Sequence, residues 1–505
     1  MLVVVGVGVA AATVLPIAHL VVRAGESADP WGLVASPRVM RFVWATVRLA
    51  ASVTAACLVT GVGMAWLLER TDLPARRLLS LAALLPLVVP SYVAALALLA
   101  AFGPSGLAFE VPGLVGFRGA AAALTLSTFP YVLLPVRAAL ATADASLEEA
   151  ARALGDPPRA ALWRVVLPQV RPAAAAGALL VFLYVLSDFG AVAIMRYDTL
   201  TRGIFLEYRS SFNRAPAAVL GVLLVVLTLV ALSAERRMRG RMVARAASSA
   251  GRPSRTVSLG FWRWPAFAAV AATVSAGVGI PLGAIAYWAL VGASRADGAA
   301  LVGAAGTSAG LSVAAAGAAV ALAVPVAILA VRHRARFSRA VETLATAGYA
   351  LPGLVIALAL VFFAARYVHP LYQTFALVVV AYVVRFFPEA LGAVRTSLAR
   401  VDPVLEEAAR SLGHNQLDLT RTVTLPLVRG GLVAGAALVF LTAMKELPAT
   451  LLLLPAGSDT LATLVWTAAA EGRYAQAAPP ALLVVAVSAL VLWPLDRARH
   501  RRSGR

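Results

Sequence analysis

Leu147 to Pro168 reads LEEAARALGDPPRAALWRVVLP, and Leu405 to Pro426 reads LEEAARSLGHNQLDLTRTVTLP. The stretches align without a gap, Leu147 on Leu405 at an offset of 258, and are identical at half of their positions. The same offset carries Pro130 onto Pro388, Arg137 onto Arg395, Asp144 onto Asp402, Arg171 onto Arg429, Gly177 onto Gly435 and Phe182 onto Phe440. Farther upstream, PSYVAALAL from Pro90 matches PGLVIALAL from Pro352. The chain is two tandem copies of one unit, so each feature is to be sought twice.

Around these stretches the sequence is apolar. The 505 residues are 61% hydrophobic and 13% charged, with a mean hydropathy of +0.85. That is too little polar surface for a soluble globule of this size, and lipid is the expected solvent. Crossing about 30 Å of hydrocarbon at 1.5 Å per residue takes roughly 20 apolar residues. Runs near 2–22, 43–68, 79–102, 119–140, 173–195 and 214–234 meet this, and so do runs near 265–291, 306–331, 342–366, 374–396, 431–454 and 475–495. An all-α membrane protein of about twelve spans follows, in two parallel six-helix repeats. The first run has no basic segment before it and no small-residue cleavage site, so a retained helix is expected and not a signal peptide. The expected divisions are a first repeat over 1–234, a linker rich in Arg, Ser and Gly over 235–264, a second repeat over 265–496 and a basic tail over 497–505.

The net charge of +20 comes largely from arginines in alternate loops, at 68–78, 137–171, 235–263, 332–341, 395–429 and 496–505. Basic loops stay on the cytoplasmic side, which predicts both termini there. The arginines fall between apolar runs and form no face with aromatic residues, which argues against nucleic acid as a partner. Cys57 is the single cysteine, so neither a disulfide framework nor a CxxC metal site exists. His19, His333, His369, His414 and His500 are scattered, with no H-E-x-x-H and no nucleophile elbow. No catalytic residue, metal site or cofactor is therefore assigned to the chain.

In each copy the longest regular basic loop follows the fourth run and opens with a short helix. Asp402 before Pro403 predicts an N-cap with proline in the first turn, while Ser146 and Glu149 predict an S-x-x-E capping box in the first copy. Gly155 and Gly413 are expected to end the helices in a left-handed conformation. Leu147, Ala150, Ala151 and Leu154 share one face, and the alanines leave it shallow enough for another backbone to approach. One such helix could pack on its own protein. Two, with the same glycine and the same downstream V-x-L-P, point to a shared docking task.

These loops resemble the E-A-A-x-x-x-G and I-x-L-P hallmark of the membrane subunits of bacterial ABC importers of the type I fold. The matching residues are Glu149, Ala150, Ala151, Gly155, Val165, Leu167 and Pro168, and again Glu407, Ala408, Ala409, Gly413, Val423, Leu425 and Pro426, with valine for isoleucine the one departure. The resemblance implies that each loop helix couples the permease to one of two cytoplasmic ATPase subunits that bind the ATP, and that a periplasmic or lipoprotein solute-binding protein delivers the substrate. With Lys445 its only lysine, the chain has no phosphate-binding loop of its own.

Within that family, Ser187-Asp188-Phe189-Gly190-Ala191, the run Tyr197 to Arg202, Tyr208 to Phe212, and Lys445-Glu446-Leu447-Pro448-Ala449-Thr450 look like fused iron(III) importer permeases. Fused permeases for thiamine and for phosphonates share the architecture and remain alternatives. A twelve-span, ion-coupled secondary transporter is the competing class, but few acidic or histidine relay groups lie deep in the runs. Ser187, Asp188, Lys445 and Glu446 are the candidate pathway or gate residues, since the repeat sets Ser187 against Lys445 and Asp188 against Glu446. Asp188 is the candidate partner for Lys445 across the pseudo-twofold axis. The competing reading makes all four helix-end anchors.

Overall fold

The computed structural model describes residues 2–104, 106–210, 214–243, 256–292, 297–333, 336–413 and 415–503. They are helical almost throughout; the β feature among them is an isolated bridge between Thr71 and Val257. Nine helices among the described residues are long and apolar enough to cross a membrane. Leu2–Gly25, Pro37–Arg70, Phe117–Thr142, Leu162–Ser187 and Ala215–Ser233 belong to the first repeat. Gly260–Gly292, Gly298–Arg332, Phe375–Leu398 and Thr420–Met444 belong to the second, which ends on the shorter apolar segment Tyr474–Leu490.

The third run of each repeat is not the straight span its hydropathy predicts. In the first, Arg76–Val88 and Ser91–Phe102 meet at 100°. In the second, Arg336–Thr346 passes through a 3-10 turn, Ala347–Ala350, into Gly353–Tyr367. A proline causes each break. Pro90 and Pro352 lack an N–H and push the preceding residue out of helical geometry, and Val89 and Leu351 are indeed extended. The fifth runs break as well: helices end at Ser187 and Met444, and short helices Gly190–Ile194 and Pro448–Leu453 follow.

The inner arms of the bent runs form the centre of the molecule. Every residue from Ser91 to Ala101 is buried, and every residue from Gly353 to Phe362. A helix apolar on all sides has to be enclosed on all sides. The opposite repeat completes each enclosure. Leu2–Gly25 packs on Gly353–Tyr367, and Ile280–Gly292 packs on Ser91–Phe102. Trp288 Nε1 donates to the Ala100 carbonyl at 3.0 Å, and the His19 ring meets Tyr367 edge-on at 5.0 Å. Within each repeat the fourth and fifth spans approach closely at a glycine. A Cβ on Gly177 would lie 2.7 Å from the Val132 Cα, and one on Gly435 would lie 3.3 Å from the Ala390 Cα.

Between the repeats, the helix Ala215–Val243 runs past position 234; residues 244–255 of the expected linker lie outside the described residues. The chain then clasps the end of Pro37–Arg70. Val257 N–H donates to the Arg70 carbonyl at 2.8 Å, and the Asp72 carboxylate accepts from Leu259 N–H at 2.8 Å and Ser258 Oγ at 3.1 Å. The Leu259 amide, aimed at Asp72, holds its carboxyl below the usual range.

Candidate functional site: paired loop helices and paired buried carboxylates

The loop helices are Ala145–Ala153 and Pro403–Ser411. Asp402 caps the second, accepting from Val404 N–H at 3.0 Å. The expected capping box on Ser146 is corrected: Asp144, the residue that matches Asp402, is the cap and accepts from Ser146 N–H at 2.9 Å. A carboxylate at Asp144 competes better for the first free amides than a hydroxyl placed two residues inside the helix. Both helices end as expected, with Gly155 at φ +96° and Gly413 at φ +89°. Asp156 N–H then donates to the Ala151 carbonyl at 3.0 Å and Gly155 N–H to the Arg152 carbonyl at 3.1 Å, satisfying groups the helix end frees.

Each helix has one face tied down and one left open. Glu148 pairs with Arg70 and Glu406 with Arg332, the latter through Nη2 at 3.0 Å and Nε at 3.1 Å. Arg70 and Arg332 are the last residues of the second spans, Pro37–Arg70 and Gly298–Arg332. The sequence reading missed this tether, although the two arginines sit at matching places in the repeats. The outward face carries Glu149, Ala150 and Leu147 in one copy and Glu407, Ala408 and Leu405 in the other, all exposed; Ala151 is half-buried and Ala409 buried. Leu154 and Leu412, beside the glycines, are 89% and 82% exposed.

Downstream, both repeats insert a turn of π-helix, Leu162–Val166 and Thr420–Thr424, before Leu167-Pro168 and Leu425-Pro426. A proline cannot donate back to the residue four before it, and the wider turn accommodates that missing bond and the ring. The leucine and proline of the V-x-L-P motif therefore set the joint between loop and fifth span.

At the far end of the fifth spans lie the buried carboxylates. Asp188 accepts from Ala191 N–H at 3.0 Å, Val192 N–H at 3.4 Å and the Ser91 hydroxyl. Glu446 accepts from Ala449 N–H at 3.2 Å and pairs with Arg385 Nε at 3.4 Å. Each carboxylate thus sits where the N-terminus of a short helix meets the N-terminus of a buried central helix, an arrangement that favours negative charge. The carbonyls freed at the breaks are satisfied too: Thr201 Oγ1 donates to the Asp188 carbonyl at 2.7 Å and Thr450 Oγ1 to that of Glu446 at 2.7 Å.

The repeats differ in what completes the site. The first presents Ser91 to the carboxylate. The second has Gly353 at that place, and a Cβ on it would lie 1.4 Å from Arg385 Nη1. The missing side chain makes room for the guanidinium. Arg385 Nη1 and the Tyr92 hydroxyl are buried without a hydrogen-bond partner among the described residues. Arg385 and Glu389, one turn apart on Phe375–Leu398, were overlooked in the sequence; two charges inside an apolar run were the available signal.

Ser187 donates to the Tyr184 carbonyl of its own helix at 2.9 Å, which is a helix-end role. Lys445 does not pair with Asp188 as expected. Its Nζ donates to the Leu87 carbonyl of the first repeat at 2.8 Å. The bend at Pro90 explains the difference, because it carries an unsatisfied 3-10 carbonyl to the lysine while Asp188 is saturated by its own helix ends. Among the described residues no group of three or more His, Cys, Asp or Glu could hold a metal ion. Ser211, Phe212 and His414 lie outside the described residues.

Two like halves, each offering an open helix on one end and a buried carboxylate toward the other, define the membrane component of a two-fold transporter. The chain belongs to the binding-protein-dependent transport system inner membrane component family, whose profile matches residues 58–243 and again 319–500. It is a fused two-repeat ABC importer permease. An Fe(3+)-transport system permease protein of Haemophilus influenzae is 34% identical over 494 residues, 96% of this chain and 95% of that protein. A ferric transport system permease protein of Actinobacillus pleuropneumoniae is 26% identical over 444 residues, 81% of this chain and 64% of its own length. The Escherichia coli sulfate transport system permease protein is 29% identical over 233 residues, 43% of this chain but 84% of that one, so a single-repeat relative matches about one half.

Proposed function

We propose that the chain forms the pathway of a ferric iron importer in a bacterial inner membrane, with both termini cytoplasmic. The observation that carries the mechanism is the pair of open loop helices. Each would seat in a groove of one cytoplasmic ATPase subunit, with Leu147, Ala150 and Leu154, or Leu405, Ala408 and Leu412, as its apolar contact. Glu149 and Glu407 would lie at the rim. ATP-driven closure of two such subunits would draw the helices together, and the Arg70–Glu148 and Arg332–Glu406 tethers would pass that motion to the second spans. The π-turns before Leu167-Pro168 and Leu425-Pro426 would pass it to the fifth spans.

The fifth spans end at Asp188, Lys445 and Glu446, which supports these residues as the gate between the repeats. Opening would hydrate Arg385 Nη1 and the Tyr92 hydroxyl, which have no hydrogen-bond partner among the described residues. A solute-binding protein would dock on the face away from the loop helices. Iron as substrate rests on likeness to the Haemophilus and Actinobacillus permeases. Deleting the gene should slow growth under iron limitation and abolish uptake of radioactive ferric iron. Normal iron uptake, with growth restored by thiamine, would transfer the substrate assignment to thiamine.

A further inference from the structure

On the side of the carboxylates away from the loop helices lies a cavity of about 400 Å³ between the two repeats. Arg196 and Arg202 of the first repeat line it, facing Trp466 and Tyr474 of the second. Among the described residues no carboxylate lines it. The Trp466 ring meets Phe189 at a tilt, 5.1 Å between centroids, and Phe205 edge-on at 6.0 Å, so an aromatic floor separates the cavity from Asp188, the neighbour of Phe189.

The two arginines differ in their partners. Arg202 pairs with Asp198. Arg196 is exposed and has no ion pair among the described residues. It also stands in the left-handed region, at φ +53°. Arg196 N–H donates to the Ala193 carbonyl at 3.1 Å and Tyr197 N–H to the Val192 carbonyl at 2.8 Å, which is the helix-terminating motif whose left-handed position usually goes to glycine. Arginine there carries a steric cost that its own turn does not repay, and it sends a free guanidinium into the cavity mouth.

Such a site conflicts with a bare trivalent cation. Repulsion grows with the product of the charges, so Fe³⁺ meets three times the barrier of a monovalent ion, and the described lining offers no carboxylate to replace its water. A guanidinium without an ion-pair partner suits carboxylate and phosphate oxygens. We propose that this cavity is an oxyanion site at the mouth of the pathway, filled by an anion that travels with the cargo, so that iron enters as a net-anionic oxygen-ligand complex. The inference rests on the iron reading for its cargo, while the anion site stands on its own geometry.

The test uses the permease assembled with its ATPase and binding protein in lipid nanodiscs and proteoliposomes, with citrate, phosphate and sulfate as probes. Calorimetric titration should show one of these anions saturating the wild type. Arg196→Gln should weaken that binding about tenfold, the size expected for one charge-assisted pair, and Arg196→Lys should keep most of it. Iron uptake should fall in parallel, with the affinity for the binding protein unchanged. Failure of all three anions to saturate the wild type would overturn the proposal. So would a loss in Arg196→Gln confined to docking of the binding protein, which would make the anion a carboxylate of that partner. If Arg196→Gln imports iron at the wild-type rate, the anion site fails and the iron reading stands. If the wild type moves sulfate and not iron, with the same dependence on Arg196, the iron reading fails and the anion site stands.

Discussion

Lys445 Nζ donates to the Leu87 carbonyl oxygen at 2.8 Å, so the chain's single lysine, on the second repeat, is held by the bent run of the first. The bond crosses between halves that must separate if the pathway is to open. A hydrogen bond from a charged group contributes about 1.5–3 kcal/mol, enough to bias a two-state equilibrium by roughly tenfold or more. Lys445→Met should therefore raise ATP hydrolysis without cargo by about tenfold in the reconstituted complex and lower the uptake per ATP. Unchanged basal hydrolysis and unchanged transport would reduce this contact to packing.

The tethers of the loop helices make a second test. Glu406 is 7% exposed and its partner Arg332 16%, and Arg70 is 4% exposed. Removing either arginine leaves its carboxylate largely enclosed and unpaired, at a cost of about 2 kcal/mol each. Arg70→Met and Arg332→Met should lower the melting temperature of the purified permease and reduce transport more than they reduce ATPase binding. A double-mutant cycle on Arg332 and Glu406 should give a coupling well above zero; additive losses would mean that the pair transmits nothing.

Gly155 and Gly413 are predicted to be intolerant of side chains. Among the described residues nothing lies within 4 Å of a Cβ at either position, so the obstacle is backbone conformation and not space. A non-glycine residue in the left-handed region costs roughly 1–2 kcal/mol, more if β-branched, and relief of that strain re-aims the helix before it. Valine at either site should leave membrane insertion intact and cut uptake severalfold. Full uptake with both replaced would remove the loops from the coupling path.

The asymmetry between Ser91 and Gly353 gives a fourth prediction. Gly353→Ser alone must displace Arg385 from Glu446, because the new Cβ would lie 1.4 Å from Nη1 and 2.7 Å from Glu446 Oε1. Overpacking of this kind costs about 1–3 kcal/mol and here also breaks an ion pair. Combining it with Arg385→Ser, the residue that Ser127 provides in the first repeat, should restore part of the lost thermal stability by recreating the arrangement at Asp188. If the double variant melts no higher than Gly353→Ser, the two repeats do not share this site.

Pattern and period alone settled much of this protein. A run of roughly 20 apolar residues has to cross lipid or be buried, so the helical class and the spans were open to reading from hydropathy. Local chemistry placed the caps and the left-handed glycines of the loop helices, because Asp402, Gly155 and Gly413 act on atoms within one turn of themselves. The period of 258 residues paired Asp188 with Glu446 before any contact was known. Composition could not tell a crossing helix from a central one, since Ser91–Phe102 and Gly353–Tyr367 are apolar on every side in either case. Only the tertiary structure showed that prolines turn these segments into the middle of the molecule and that the first helix of each repeat covers the central arm of the other. It alone decided the partners of the charges: Arg70 with Glu148, Arg385 with Glu446, and Lys445 with a carbonyl instead of Asp188. Those pairings depend on where a bend 358 residues away delivers one oxygen atom, and hydrophobic periodicity carries no information about contacts of that range.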